Sequence, residues 1–236
     1  MIFNSEISGE QQHTTSPVVT GGSVIALVYN GGVIVGTDTL CSYGSMAAFK
    51  NVKKIAQISK NTIYASSGEF SDFQQVVKEL AKIDRSALQY DDGVHPSPKD
   101  YGNFLARLSY KKRCKINPLY LQNVIAGFHN GERYLSLVDI YGTYLESNFI
   151  TTGFASYFCK AIISNYWNEN CTLDQAKQVI RECFKVLFCR DCRAHDVIQL
   201  AYVDAQGAHI EEPERVETKW DFNGFKSRAN EKLHTQ

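Results

Sequence analysis

The chain has 236 residues, with 25 basic and 25 acidic side chains and a formal charge of zero, so no whole-molecule field draws it to nucleic acid or to an anionic membrane. That length suits one substantial core and is short for two, and a hydrophobic content of 44% is ordinary for a globular protein. No apolar run approaches the roughly 18–20 residues a membrane span needs. The opening MIFNSEISGEQQH has neither the basic cluster nor the apolar core of a signal peptide. Polar and aperiodic, residues 1–13 read as a leader. The seven cysteines (Cys41, Cys114, Cys159, Cys171, Cys183, Cys189, Cys192) are odd in number and scattered through apolar segments. They read as reduced, mostly buried thiols of a cytosolic or nuclear protein.

In chain order, Ser23 to Tyr29 and Val33 to Thr37 are rich in Val and Ile and joined by Asn30-Gly31-Gly32, a strong hairpin signal. CSYGSMAAF reads as a loop. Lys54 to Ser59 and Thr62 to Ser66 form a second strand pair about Lys60-Asn61, closed by Gly68. Ser71 can cap a helix whose apolar stripe is Phe73, Val76, Val77, Leu80 and Ile83. DDGVHPSP is a loop. Ser97 as cap, Pro98 in the first turn and Asp100 start a second helix that runs to about Cys114, and Asn117-Pro118 ends it. Strands return at Val124 to Phe128, Tyr134 to Asp139 (after His129-Asn130-Gly131) and Thr143 to Glu146. Residues 155–168 read as a third helix. Thr172 and Asp174 open a fourth, with Ala176, Val179, Ile180, Cys183, Val186 and Leu187 inside. A last hairpin pairs Val197 to Val203 with Ala208 to Glu211.

Strand hairpins alternating with helix pairs predict an α+β fold of antiparallel sheets with helices segregated on the outer faces. Two such sheets stacked between two helical layers bury both apolar sheet faces. There is no tandem repeat, and the body, 14–213, reads as a single domain. Residues 214–236 form a C-terminal extension, highly charged apart from Trp220, Phe222 and Phe225.

The run GGSVIALVYNGGVIVGTDTLCSYGSMAAFKNVKKI resembles the opening of a proteasome beta subunit, and the likeness continues through ASSGEFSDFQ, CKINPLY and VLFCRDCRAHD, covering residues 14 to 222. Several spaced motifs in the right order make this specific. SYGS, KINPLY and the closing KWDF resemble the branch that occupies the seventh beta position. The resemblance implies the N-terminal-nucleophile hydrolase fold, a four-layer αββα sandwich. It also implies a place beside other alpha and beta subunits in a hetero-oligomeric, 28-subunit 20S core particle of the cytoplasm and nucleus, serving ATP- and ubiquitin-dependent protein degradation. No cofactor, nucleic-acid or membrane partner is implied.

In active members of that family a glycine is followed by the nucleophilic threonine, and the chain is cut between them. Counting back from Gly31-Gly32 puts Gly22 at the nucleophile position and Gly21 before it. Glycine has no side-chain oxygen, so the acyl-enzyme step has no nucleophile. Asp38, Lys54 and Asp191 match the family's supporting residues, and Gly68 matches the glycine whose backbone helps form the oxyanion hole. Phe154 and Ala194 stand where two serines belong. The set reads as vestigial, with no catalytic residue. Asp38 and Lys54 have a plainer reading as an ion pair holding the hairpin to the next strand, and Asp191 a similar structural one.

Cys189, Cys192 and His195 have C-x-x-C-x-x-H spacing but no second element to complete a zinc site, so no metal site is expected. Thr20 would sit roughly 6–7 Å of extended chain outside the nucleophile position and reads as part of an extended segment. In the seventh-position branch the mature chain resembles one starting at a threonine before a short proline-containing segment. That fits cleavage between His13 and Thr14, made in trans by an active neighbour. Lys111-Lys112-Arg113 resembles the family's basic run before Asn-Pro and alone reads as a solvated helix end, with a contact to another subunit as the alternative. Trp220 and Phe222 resemble an interface arm that reaches into the opposing ring. The chain is therefore expected to be a non-catalytic structural subunit. The rival readings are an active threonine peptidase using a displaced N-terminal threonine, a bacterial-type two-ring peptidase and a free-standing αββα domain.

Overall fold

The computed structural model describes residues 16–90, 93–218 and 220. The two strands of the first predicted hairpin, β2 (Val24–Tyr29) and β3 (Gly32–Asp38), are buried at every position. A strand apolar on both faces needs cover on both, and these two form the middle of a six-stranded antiparallel sheet. Its order is β11 (Phe149–Thr151), β2, β3, β12 (Val197–Asp204) and β13 (Gly207–Ile210), with β14 (Glu214–Arg215) also paired to β12. The eight-stranded sheet runs β10 (Tyr144–Glu146), β9 (Glu132–Val138), β8 (Leu121–His129), β7 (Thr62–Glu69), β1 (Val19–Gly21), β4 (Cys41–Tyr43) and β5 (Met46–Phe49). In it β6 (Ile55–Ser59) also pairs with β7.

Because side chains alternate along a strand, each central strand supplies two cores. Val24, Ala26, Val28, Val33 and Val35 meet Ile63, Ala65, Val124 and Ala126 between the sheets. The alternate residues Ile25, Leu27 and Ile34 face outward onto α3 (Ala155–Phe158), α4 (Lys160–Tyr166) and α5 (Leu173–Arg190). On the other side Tyr64, Ile125 and Val138 face α1 (Phe70–Tyr90) and α2 (Pro98–Cys114). Three cores between four layers make the αββα sandwich. No helix among the described residues is long and apolar enough to cross a membrane.

Local chemistry sets the helix starts. Ser97 and Thr172 each form a reciprocal capping box, with Asp100 and Gln175 respectively, which satisfies backbone donors that the first turn leaves free. Ser71 does not cap α1 as predicted. It lies inside the first turn, and its hydroxyl donates to Glu69 Oε1 at 3.2 Å. The predicted third helix is two short ones, interrupted at Cys159. The i→i−4 bonds continue on both sides of that residue, from Cys159 to Ala155 and from Ile163 to Cys159.

The predicted loop at 41–49 is instead the hairpin β4–β5. Gly44, at φ +58°, makes its turn, and the weak alternation of SMAAF reflects an edge strand open to solvent. Of the seven cysteines, Cys41, Cys159, Cys171 and Cys183 are buried, while Cys114, Cys189 and Cys192 are exposed. Burial pushes the Cys41 thiol up to about 11, which keeps it protonated.

Helix α5 lies so close to β3 that Gly36 has no room for a side chain. A Cβ there would stand 2.6 Å from Ile180 Cγ2 and 3.2 Å from Phe184 Cε2. Gly36→Val should cost about 1–3 kcal/mol through overpacking, read as a lower denaturation midpoint. An unchanged midpoint would mean that α5 can lift off the sheet freely.

Candidate functional site

The site is built where β1 enters the eight-stranded sheet beside the end of β3. Asp38, the last residue of β3, and Lys54, just before β6, are both buried, at 1% and 2% exposure. Their groups meet at 2.5 Å, and the Lys54 ammonium also donates to the Leu40 carbonyl at 3.0 Å. Burial pushes the Asp38 carboxyl up from its ordinary value, against the opposing pull of Lys54. The second carboxylate oxygen, Oδ2, has no hydrogen-bond partner among the described residues.

Gly21 and Gly22 lie directly over this pair. A Cβ on Gly22 would stand 2.7 Å from Asp38 Oδ1, and one on Gly21 2.7 Å from Lys54 Cδ. Both distances are below any ordinary Cβ contact, so either side chain would force the ion pair to move. The sequence alignment of Gly22 with Asp38 and Lys54 is thus also a spatial juxtaposition.

A cleft of about 410 Å³ opens above, lined among others by Thr20, Gly22, Gly68, Phe154, Asp191 and Arg193. Gly68 sits at φ +115°, and a Cβ there would fall 2.0 Å from the Tyr120 carbonyl oxygen. No L-residue fits. Asp191 caps the end of α5, and its Oδ1 accepts from the Arg193 backbone N–H at 2.9 Å. Phe154 is exposed and stacks near Phe158, while Ala194 packs against the outer helical core.

The chain itself fills the strand slot beside the cleft. β1 pairs antiparallel with β7 on one side, Thr20 opposite Glu69 and Gly21 opposite Gly68, and with β4 on the other, Thr20 opposite Ser42. A peptide approaching this slot would find its hydrogen-bonding edges taken. Thr20 is a mid-strand residue whose nitrogen is an amide in the intact chain. Glu69, which sequence reasoning did not single out, fastens this strand: its Oε2 accepts from the backbone N–H of Val18 at 2.6 Å and of Val19 at 3.2 Å. Ser23 and Thr152 were missed as well. Ser23 Oγ accepts from Ala155 N–H at 3.0 Å and Thr152 Oγ1 from Val24 N–H at 2.9 Å, tying the residues after Gly22 to the start of α3. These contacts carry no sequence motif, since the partners are backbone groups far away along the chain.

The other predicted residues lie apart. Cys189 is in the last turn of α5 and Cys192 beyond its end, both exposed, and His195 Nδ1 accepts from Val197 N–H at 2.9 Å. No cluster of three metal-ligating side chains occurs among the described residues. Trp220 is 65% exposed and meets Phe188 edge-on at 5.6 Å between centroids. His13, Thr14 and Phe222 lie outside the described residues.

A four-layer αββα sandwich built on two antiparallel sheets is the N-terminal-nucleophile hydrolase fold. The proteasome subunit family profile matches residues 18–203, and the chain belongs to that family. It is 37% identical over 219 residues to the proteasome subunit beta type-4 of Xenopus laevis, covering 91% of this chain and 89% of that one. It is 33% identical over 216 residues to the beta type-4 subunit of Arabidopsis thaliana, covering 92% and 88%. The probable proteasome subunit beta type-7 of Schizosaccharomyces pombe is 34% identical over 218 residues, covering 89% and 83%.

Removing one partner of a buried ion pair leaves the other uncompensated. Lys54→Met should therefore destabilise the chain by about 3–5 kcal/mol, and adding Asp38→Leu should restore most of that. A double-mutant cycle on denaturation midpoints checks it. A double variant as unstable as the single one would mean the pair does more than neutralise itself.

Proposed function

We propose that the chain is a non-catalytic, structural beta subunit of the 20S proteasome core. It holds one place in the beta ring and helps join half-particles for ATP- and ubiquitin-dependent protein degradation in cytoplasm and nucleus. The observation that carries this reading is the arrangement at Gly22. The position over the Asp38–Lys54 pair has no side chain, and the preceding residues occupy the adjoining strand slot. With no hydroxyl to attack a carbonyl, the acyl-enzyme route is closed at its first step. Phe154 and Ala194 add no hydroxyl relay. Asp38, Lys54, Asp191 and Gly68 then serve as structure. The buried pair fixes the hairpin end, Asp191 caps α5, and Gly68 allows β7 to pass Tyr120.

On this reading residues 1–13 are a leader removed between His13 and Thr14 by an active neighbour, 14–213 are the proteasome-type domain, and 214–236 form an arm. Trp220 and Phe222 anchor that arm in another subunit. Support comes from Trp220 itself, which rests only an edge on Phe188 and leaves most of its surface for a further contact. The rival reading, a displaced threonine nucleophile, needs a cut before Thr20 and then a large move of that residue toward Lys54. Thr20 is paired on both sides, with Glu69 and Ser42, which weighs against it.

The test is the intact mass of this chain in native particles separated by size, together with labelling by an electrophile directed at N-terminal threonines. The expected result is a chain beginning at Thr14, within a very large particle, that takes no label. A chain beginning at Thr20 and carrying the label would overturn the non-catalytic reading. The full-length chain found as a small species would overturn the assembled-subunit reading.

A further inference from the structure

Helix α2 ends in a turn whose backbone asks for glycine and receives isoleucine. Beyond the cap residue Lys115, the Ile116 N–H donates to the Arg113 carbonyl at 2.9 Å and the Asn117 N–H to the Lys112 carbonyl at 3.1 Å. These are the two bonds of a Schellman ending, which places Ile116 in the left-handed region, at φ +55°. A β-branched residue is an outlier there. Burial does not compensate, because Ile116 is 83% exposed. Within the chain, both the strained backbone and the wet apolar side chain are costs without return.

The surroundings form a built knob. The Arg113 guanidinium lies 5.6 Å from the Tyr110 ring centre and 5.9 Å from that of Tyr141, and both tyrosines are exposed. Tyr141 sits on a fixed turn, since Asp139 Oδ1 accepts from the N–H groups of Tyr141 and Thr143 at 2.9 and 2.8 Å. Gly142 brings that turn onto α2, leaving only 2.8 Å between a Cβ and the Ala106 carbonyl oxygen. Lys111, Arg113 and Lys115 make no ion pair with a carboxylate among the described residues. The helix dipole favours cations at this end. It does not explain a strained isoleucine projecting among them.

We propose that this knob is a docking surface for another proteasome subunit. Ile116 enters an apolar socket on that subunit, and carboxylates on the socket rim pair with Arg113 and Lys115. The inference rests on the reading above that the chain works inside an assembled particle. The free cations call for an acidic partner, and the exposed isoleucine calls for a dry one, which a protein socket supplies together. A nucleic acid could stack on the two tyrosines, but it offers the strained isoleucine nothing.

The test is a competition in cells that express differently tagged wild-type and variant chains, with their ratio measured in purified particles. Ile116→Gly and Ile116→Asn both suit the left-handed backbone, so neither should impair folding. Both should enter particles about tenfold less well than wild type, as for the loss of an ordinary anchor. Arg113→Glu with Lys115→Glu should fall similarly, and Ile116→Leu should stay near wild type. A photoreactive phenylalanine at position 116 should crosslink to a carboxylate-bearing segment of one other subunit. Glycine and asparagine variants that enter as readily as wild type would overturn the proposal, as would crosslinks to RNA, to lipid or to no protein. If the wild-type chain is itself absent from large particles, the structural-subunit reading falls and takes this one with it.

Discussion

Burying an ammonium inside a protein requires partners around it, and Lys54 finds them in the Asp38 carboxylate and the Leu40 carbonyl. Much of the site follows from that pair. It joins the end of β3 to the start of β6, so the six-stranded sheet is held to the eight-stranded one by a charge contact as well as by the apolar core. It also dictates what can lie above it, because Gly21 and Gly22 run so close that a Cβ on either would strike the pair. A threonine at position 22 could be accommodated only with the carboxylate displaced. The absence of a side chain at position 22 and the tight seat of the ion pair are therefore one fact seen from two sides.

The same geometry explains why the slot between β7 and β4 is filled by the chain's own residues. A strand lying between two others satisfies its backbone groups on both sides, and Glu69 adds two charge-assisted bonds to the N–H groups of Val18 and Val19 at its start. The segment is structural, pairing Thr20 with both neighbours. Removing it would expose two strand edges and the cleft at once, a cost that favours keeping the segment in place.

Much of the fold was legible because it rests on local chemistry or on period. Asn30-Gly31-Gly32 marked the central hairpin, Ser97 with Pro98 and Asp100 marked the start of α2, Thr172 with Asp174 that of α5, and the Val and Ile content of β2 and β3 marked them as strands. Gly22 lies a short strand before that hairpin, and the fold sets it against Asp38. What stayed hidden depends on distant backbone groups. Strand β1 reads only as an extended segment, because its three residues gain their pairing from β4 and β7, which no local pattern encodes. Glu69 looks like any acidic residue after a glycine until its oxygen meets the N–H groups of Val18 and Val19. The β4–β5 hairpin was missed because β5 is open to solvent on both faces and so need not alternate.

The positive-φ positions separate residues that serve the fold from one that does not. At Gly68 a side chain would strike the Tyr120 carbonyl, and at Gly142 the Ala106 carbonyl, so glycine there is demanded by packing. Among the described residues only Ile116 and Asn130 adopt positive φ without being glycine. Asn130 is a residue whose side chain tolerates that region in a tight turn. Ile116 is the exception, and nothing packed around it explains its choice. Glycine fills positive-φ positions even where nothing packs against it, at Gly44, Gly93 and Gly131, so the isoleucine at 116 has its reason outside the chain's own core.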